Sequence, residues 1–179
     1  MAAAGTGIAV RPAVPGDAAA CAAVYAPYVA ATAITFEEQA PGVAEMAQRI
    51  ESASRAHAWL VAERHGELIG YAYGGPMNRR AAYRWSCEVS VYVAEDRRGL
   101  GAGRALYGAL LPALARRGYR TAIAGMTLPN GASAALHGAM GFRPVGVYRR
   151  IGYKLGAWHD VEWLQVRLAE GADPPAEPG

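Results

Sequence analysis

The segment RRGLGAGR has the composition expected of an anion-binding site. It contains Gly99, Gly101 and Gly103, with Arg97 and Arg98 before them and Arg104 after them. Glycine permits positive φ angles and lets the backbone approach a ligand closely, and a helix N-terminus offers unpaired N–H groups and a positive dipole end. Together these features favour the binding of phosphate. A plain turn without a ligand is the alternative.

Two common phosphate-binding motifs do not fit this segment. A P-loop needs a lysine directly after its last glycine, and the only lysine of the chain, Lys154, lies in the distant segment GYKLG. A dinucleotide-binding G-x-G-x-x-G motif would need its last glycine where the chain has Arg104 or Leu106. The pattern that does fit is R-x-x-G-x-G, which runs from Arg98 to Gly103.

A lone carboxylate interrupts the strand pattern before the glycines. Glu88 lies between Cys87 and Val89, and the residues VSVYV alternate with a period of two, as in a β-strand. Ionised side chains seldom persist inside a strand without a partner or a role, so Glu88 is a candidate functional residue. An ion pair with Arg84 is the structural alternative.

Two other groups of polar residues are candidates for ligand binding. The segment NRRAAYR contains Arg79, Arg80, Tyr83 and Arg84, and a guanidinium group with a phenol could hold an oxyanion. Exposed loop arginines are more often simply solvated. His137, in LHGAMGF, could donate a proton or contact a substrate, or it could be a structural residue of a short helix.

Apolar periodicity predicts the elements that position these residues. A strand over residues 8–11 precedes a helix through AAACAAVYAPYVA, with Asp17 as N-cap and a kink or break at Pro27. A second, amphipathic helix in GVAEMAQRIESASRA has Val43, Met46 and Ile50 on one face. Two strands then form a hairpin around residues 65–67.

The second half of the chain predicts a long helix, a short helix and three more strands. Leu106, Leu110 and Leu114 mark one face of the long helix, and Gly118 ends it. The strand TAIAGM, a short helix ending at Gly141 and two final strands follow. The order of elements predicts an α/β protein with a mixed sheet.

Composition and length limit the class of protein. The 179 residues fit one domain, predicted over residues 1–169, with a flexible tail over 170–179. The mild net charge of +3, without a lysine and arginine block, favours small anionic ligands over nucleic acid. Neither the histidines nor Cys21 and Cys87 have metal-ligand spacing, so no metal is expected. The sequence shows neither a membrane span nor a basic leader, so we expect a cytoplasmic protein.

Two motifs together resemble the GNAT superfamily of N-acetyltransferases. R-x-x-G-x-G after a strand and before a helix is similar to the acyl-CoA pyrophosphate loop of that family, and LPNGASAALHGAMGFRPVG is similar to its second signature. VSVYV, LPN, LHGAMGF and GAWHDVEW resemble the branch of phosphinothricin and methionine-sulfoximine acetyltransferases, which serve in resistance to such compounds. The resemblance covers roughly residues 7 to 168.

The resemblance implies the GNAT fold, with a mostly antiparallel mixed sheet flanked by helices, and acetyl-CoA as acetyl donor. It implies coenzyme contacts from the backbone of Val91, Tyr92 and Val93, from Arg98, Gly99, Leu100, Gly101, Ala102, Gly103 and Arg104, and from Asn130. Asn130 could equally be an ordinary helix cap. The branch also implies a homodimer, consistent with aromatic residues Tyr148, Tyr153 and Trp158 in the last strands.

The implied reaction moves an acetyl group to the α-amine of a small amino-acid analogue by direct attack in a ternary complex. Glu88 would be the general base and His137 a proton donor. Arg80 and Tyr83 would bind the acceptor, with Thr35 and Phe36 as the opposite wall. Asn78 departs from the basic residue expected in the branch, which puts phosphinothricin itself in question. A different amine, or a non-catalytic acyl-CoA sensor, is the alternative.

Overall fold

The computed structural model describes residues 7–171 and 176–178. The strands in this part of the chain are β1 (Ile8–Pro12), β2 (Trp59–Arg64), β3 (Glu67–Pro76), β4 (Ser86–Val93), β5 (Thr121–Thr127), β6 (Arg143–Lys154) and β7 (Ala157–Arg167). The helices are α1 (Ala18–Ala31), α2 (Val43–Ala56), α3 (Ala102–Arg116) and α4 (Gly131–Ala139). This succession confirms the predicted order of elements. No helix in the described ranges is long and apolar enough to cross a membrane.

The seven strands form one sheet in the order β1-β2-β3-β4-β5-β7-β6. Neighbouring strands are antiparallel except β4 and β5, which are parallel. β2 and β3 form the predicted hairpin, and its two turn residues, His65 and Gly66, have positive φ angles of 54° and 80°. The prediction of an α/β protein with a mixed, mostly antiparallel sheet is therefore confirmed.

Helices cover both faces of the sheet. On one face, α3 buries Leu106, Leu110 and Leu114 completely, as the spacing of four residues predicts. On the other face, α1 and α2 form a second core, in which Met46 and Ile50 are buried. The sheet therefore separates two cores, one under α3 and one under α1 and α2.

Three details of the first two helices differ from the predictions. α1 continues through Pro27, because the proline removes only one N–H near the end of a helix that is held by its buried face. Val43 is 54% exposed and does not join the buried face of α2. Asp17 is the N-cap residue of α1, as predicted, but its side chain makes no cap hydrogen bond, because its carboxylate accepts hydrogen bonds from the side chain of Arg11 and the N–H of Val14.

β4 and β5 are paired over only a short stretch. Ser86, Cys87 and Glu88 lie beside Thr121, Ala122 and Ile123, and beyond these residues the two strands separate. The backbone groups on this side of β4 therefore lose their neighbouring strand after Glu88. The separation creates an open strand edge in the middle of the sheet.

Part of the predicted flexible tail lies against the domain. Arg84 forms an ion pair of 2.9 Å with Glu177, and the indole N–H of Trp85 donates to the carbonyl of Ala176 at 2.8 Å. Gly118, whose φ of 95° ends α3 as predicted, lies beside this segment. Residues 172–175 and 179 of the predicted tail lie outside the described residues.

Candidate active site

A cleft of about 430 Å³ lies between the open edge of β4, the glycine segment and the start of α4. It brings together most of the residues predicted to bind a coenzyme, namely Val91, Val93, Arg98, Gly99, Gly101, Ala102, Gly103, Arg104 and Asn130. Tyr92 and Leu100 do not line this cleft. The cleft therefore unites two motifs that are about 30 residues apart in the chain.

The glycines of this segment serve different purposes. Gly101 is the N-cap of α3 with a φ of 91°, and Gly99 has a φ of 79°, so both positions need a residue that tolerates the left-handed region. At Gly103 a Cβ atom would lie 2.9 Å from Cδ2 of Leu136, so this glycine permits close packing of α3 and α4. Gly99 and Gly101 therefore shape the loop, and Gly103 allows α4 to pack closely against α3.

The first turn of α3 leaves backbone donors at the cleft. Its first helical hydrogen bond runs from the N–H of Ala105 to the carbonyl of Gly101 at 3.0 Å. The N–H groups of residues 102–104 therefore have no helical partner, and these three residues line the cleft. Free N–H groups at the positive end of a helix form an anion site, which is what the glycine pattern predicts.

The three arginines near the glycines differ in their partners. The guanidinium of Arg98 lies 5.1 Å from the ring centre of Tyr28 and 3.6 Å from a carboxylate oxygen of Glu95. Arg97 is 2.8 Å from Glu67 on the neighbouring hairpin, so its charge is largely compensated by that ion pair. Arg98 and Arg104 are therefore the better candidates to contact an anion.

Backbone groups of β4 face the neighbouring strand and the open edge in alternation. The N–H of Ala94 donates to a carbonyl of β3 at 2.8 Å, so the backbone groups of Tyr92, two residues earlier, also face β3. Those of Val91 and Val93 face the open edge. The carbonyl of Val93 accepts a hydrogen bond of 2.6 Å from Tyr28. Main-chain groups are thus open to a ligand at Val91 and at the N–H of Val93, and Tyr92 offers none.

A small inner cavity of about 50 Å³ lies where β4 and β5 separate. His137 lines it and is 4% exposed. Its Nδ1 lies 2.8 Å from the carbonyl oxygen of Ser133, and its Nε2 lies 3.1 Å from the hydroxyl of Tyr107. A carbonyl only accepts hydrogen bonds, so Nδ1 carries the proton of the neutral ring and Nε2 accepts from Tyr107.

The acidities of this pair do not suit proton donation. Burial lowers the pKa of His137, so the ring is neutral near pH 7, and the same cause raises the pKa of Tyr107. The only N–H hydrogen of the neutral ring is donated to the carbonyl oxygen of Ser133. The geometry therefore favours the structural alternative for His137, in which the ring orients Tyr107.

Asn130 is a helix cap at the edge of the cleft predicted to bind the coenzyme. Its side-chain oxygen accepts a hydrogen bond of 3.1 Å from the N–H of Ser133, so it is the N-cap of α4. Asn130 also lines the large cleft and the inner cavity. The cap fixes the start of the helix that carries His137.

Glu88 occupies the point at which β4 and β5 separate. It shares a face of the sheet with Tyr92, whereas Cys87 and Val89 are buried under α3 on the opposite face. Burial raises the pKa of the Glu88 carboxyl above its ordinary value. No side chain in residues 7–171 or 176–178 pairs with this carboxylate, and Arg84 pairs with Glu177. The structure therefore does not support the proposed ion pair with Arg84.

The four predicted acceptor residues do not share a pocket. Thr35 is 9% exposed, and its hydroxyl lies 2.6 Å from that of Tyr25. Phe36 is 40% and Tyr83 41% exposed. Arg80 and Tyr83 line neither the cleft nor the inner cavity. Within this single chain the acceptor side is therefore less completely enclosed than the coenzyme side.

Several residues that line the two cavities were not candidates from the sequence, among them Tyr28, Ile34, Tyr107 and Ser133. Ile34 and Ser133 line both cavities. Tyr107 follows Leu106 in the predicted helix, where it reads as an ordinary core residue. The only signal for Ser133 is its position four residues before His137, which is one helical turn.

Comparison with known proteins agrees with this geometry. The profile of the family described as "Acetyltransferase (GNAT) domain" matches residues 10–163. The chain belongs to the GNAT acetyltransferase family. The resemblance seen in the motifs and the predicted GNAT fold are thereby confirmed, and the protein is an N-acetyltransferase of this family.

Relatives of this GNAT enzyme include phosphinothricin N-acetyltransferase of Streptomyces viridochromogenes, 36% identical over 94% of this chain and 93% of that protein. L-methionine sulfoximine/L-methionine sulfone acetyltransferase of Salmonella typhimurium is 36% identical over 65% of this chain and 68% of that protein. The crystal structure of a phosphinothricin acetyltransferase from Sinorhizobium meliloti in complex with AcCoA has a TM-score of 0.89 and 34% identity, covering 97% of this chain and 94% of that one.

Proposed function

We propose that this GNAT enzyme transfers the acetyl group of acetyl-CoA to the α-amine of a small polar amino-acid analogue. The proposal rests on Glu88, whose carboxylate pairs with no side chain of the described residues and which directly precedes Val89 and Ser90 in the wall of the inner cavity. The adjoining cleft, which Glu88 itself does not line, offers N–H groups of α3 that have no helical partner. The names of the phosphinothricin and methionine-sulfoximine acetyltransferases support the class of acceptor.

The residues of the cleft suit the two ends of acetyl-CoA. The N–H groups of residues 102–104, with Arg98 and Arg104, would bind the pyrophosphate. The open backbone groups of Val91 and Val93 would bind the amides of the pantetheine arm as a further strand would. Acetyl-CoA supplies the activated acetyl group, and these contacts would aim it towards Glu88.

Glu88 is the proposed general base. An amine is mostly protonated near pH 7 and cannot attack a thioester until it loses a proton. The raised pKa of Glu88 makes its carboxylate a stronger base than that of an exposed glutamate. Since no cation neutralises this carboxylate among the described residues, its charge is available to an incoming ammonium group.

His137 would act through Tyr107. Its Nε2 accepts the hydrogen bond of the Tyr107 hydroxyl, which fixes that hydroxyl beside the inner cavity. We propose that this arrangement positions a polar group near the departing sulfur and does not transfer a proton from the imidazole. This is a change from the proton-donor role that the family resemblance implies for His137.

The family resemblance assigns the acceptor to Phe36, Arg80 and Tyr83, which share no pocket within the single chain. An arginine and a phenol suit a carboxylate or a neighbouring oxyanion of the acceptor. Asn78 supplies its side-chain oxygen to the N–H of Arg80 at 3.0 Å and adds no charge. We therefore expect methionine sulfoximine or sulfone to be better substrates than phosphinothricin, whose phosphinate is ionised.

The deciding experiment measures thiol release from acetyl-CoA with a panel of amines. The panel contains phosphinothricin, methionine sulfoximine, methionine sulfone, a polyamine and a peptide N-terminus. We expect the highest kcat/KM with methionine sulfoximine or sulfone. A preference for the polyamine or the peptide would contradict the proposed acceptor class, and binding of acetyl-CoA without turnover on any amine would indicate a sensor.

A homodimer is the proposed assembly. Six large apolar side chains of the β6–β7 region are more than half exposed, namely Val145, Tyr148, Ile151, Tyr153, Leu155 and Trp158. β6 is also an edge strand of the sheet. Exposed apolar patches of this kind favour association. The need for acetyl-CoA would place the dimer in the cytoplasm.

A further inference from the structure

The loop between α1 and α2, residues 32–42, contacts the β6–β7 hairpin through Thr35 and Phe36. The ammonium of Lys154 donates a hydrogen bond of 2.8 Å to the carbonyl of Thr35. The ring of Phe36 lies over Gly152 so closely that a Cβ atom at Gly152 would overlap it. Lys154 is 7% exposed and is the only lysine of the chain. We call Gly152 and Lys154 the hairpin clamp.

The other side of Thr35 is attached to α1. Tyr25 has one hydroxyl hydrogen and gives it to the carboxylate of Glu37 at 3.0 Å, so in the 2.6 Å contact Thr35 must be the donor to Tyr25. The N–H of Glu37 donates back to the hydroxyl of Thr35 at 3.2 Å. Arg49 holds the same carboxylate at 2.7 and 2.9 Å. The hydroxyl of Thr35 is therefore occupied by hydrogen bonds within the protein and is not free to contact a substrate.

The position of Thr35 decides where its neighbours point. Ile34 lines both the coenzyme cleft and the inner cavity, and Phe36 is the proposed wall for the acceptor. Loss of the ammonium would leave the buried carbonyl of Thr35 without its donor, which is costly in a region away from water. The loop would then shift to find another partner and would carry both neighbours with it.

We propose that Lys154 is a positioning residue for the acceptor amine. It acts by holding the α1–α2 loop in the geometry needed for transfer. The inference rests on the proposed function, because Phe36 belongs to the proposed acceptor wall. It assigns a role to the β6–β7 hairpin in the reaction that is independent of any part the hairpin has in dimerisation.

The first test compares two variants that each remove one positive charge. Lys154→Met should raise the KM of the amine by about tenfold, with a smaller change in the Kd of acetyl-CoA from calorimetry. Arg55→Met, which removes an exposed cation of α2 that pairs with Glu51, should leave both constants unchanged. Lys154→Arg should recover part of the loss because it restores a donor. An unchanged amine KM in a folded Lys154→Met enzyme would overturn the proposal.

A steric test is independent of charge. Gly152 does not have a positive φ, so alanine fits its backbone and the strain falls on the ring of Phe36. Gly152→Ala should raise the amine KM in the natural background and have little effect beside Phe36→Leu, in which the ring is absent. Equal effects of Gly152→Ala in both backgrounds would contradict the packing of the Phe36 ring on Gly152.

The single lysine also allows a direct measurement on the unaltered protein. Reductive methylation of the Lys154 amine should be slower in the folded protein than in urea by about a hundredfold or more, because the clamp excludes the reagent. Equal rates would overturn the clamp, even if Lys154→Met fails to fold. An enzyme that acetylates none of the tested amines would contradict the proposed function and leave the labelling result to decide the clamp alone.

Discussion

Burial of Glu88 has two opposite consequences for this enzyme. The low-dielectric surroundings raise the pKa of its carboxyl, which strengthens it as a base for an ammonium group. The same surroundings make the ionised form unfavourable in the folded protein, since no cation in the described residues compensates it. A residue that costs stability in this way is retained when it serves a function.

Replacement of Glu88 by glutamine should separate these effects. Glu88→Gln should lower kcat by about a hundredfold or more, because the base is lost. The Kd of acetyl-CoA should stay nearly constant, because the coenzyme contacts lie further along β4 and on α3. Turnover equal to that of the unaltered enzyme at saturating amine would contradict the role of Glu88.

The pH dependence gives a separate test at the same residue. Because the folded pKa is raised, the acid limb of kcat/KM should have its midpoint above the ordinary value of 4.5, and Glu88→Gln should abolish this limb. Folding favours the protonated form, so ionised Glu88 destabilises the protein as pH rises through the folded pKa. Thermal unfolding should therefore show a higher Tm for Glu88→Gln at pH 8 and little difference at pH 4.

His137 should affect stability more than chemistry. His137→Ala removes the partner of the Tyr107 hydroxyl and opens a cavity, so it should lower the free energy of unfolding by about 2 to 4 kcal/mol. At a temperature where the variant is folded, kcat should fall by about tenfold at most, far less than for Glu88→Gln. A loss as large as that of Glu88→Gln would restore the imidazole as the proton donor.

At the scale of elements, the site depends on how β4 and α3 end and begin. β4 loses its neighbour β5 after Glu88, which opens its edge, and Gly101 turns the chain so that α3 starts at that edge. A strand edge and a helix N-terminus both carry unpaired backbone groups. Their juxtaposition therefore makes a binding site with little contribution from side chains.

The glycine that precedes α3 and a glycine within it should respond oppositely to alanine. Gly101→Ala places a side chain at a φ of 91°, so it should destabilise the protein by about 1 kcal/mol or more and raise the KM of acetyl-CoA. Gly108→Ala lies on the exposed face of the same helix, where a Cβ meets nothing within 4 Å, and should stabilise it by about 0.5 to 1 kcal/mol. Urea unfolding and acetyl-CoA titration measure both. Equal effects of the two changes would contradict the role of the Gly101 turn.

At the scale of the whole molecule, one end of the sheet exposes apolar side chains in the single chain. The β6–β7 region carries the exposed apolar side chains named above, whereas the opposite end of the sheet is β1. The acceptor residues Arg80 and Tyr83 are also exposed in the single chain. Association through β6 and β7 would bury the apolar surface.

A charged residue in this surface should break the assembly. We expect the protein to sediment as a dimer and Ile151→Asp to sediment as a monomer, because the carboxylate would be desolvated at the interface. Val43→Asp is the matched control, since Val43 is 54% and Ile151 56% exposed and Val43 lies on α2. A monomer for the unaltered protein, or a dimer for Ile151→Asp, would contradict the proposed interface.

Local patterns in the sequence were enough to predict the elements and the anion site. The alternation in VSVYV, the fourfold spacing of Leu106, Leu110 and Leu114, and the stop at Gly118 all act between near neighbours, and the structure has each of them. The glycine segment also depends on local φ angles, so its position at the start of α3 was readable. The alternative of a break at Pro27 was wrong, because tertiary packing holds α1 together beyond its own hydrogen bonds.

The contacts between distant segments came only from the tertiary structure. The sequence by itself determined the residue types, the local conformations and the family motifs. The hydrogen-bond or ion-pair partner of a polar group often comes from a segment far away in the chain. No local sequence rule predicts such a partner. Three such contacts are the ion pair of Arg84 with Glu177, the hydrogen bond between Tyr107 and His137, and the hydrogen bond from Lys154 to Thr35. Folding brings these groups together because the sheet order places β7 beside β5 and turns the β6–β7 hairpin towards the α1–α2 loop.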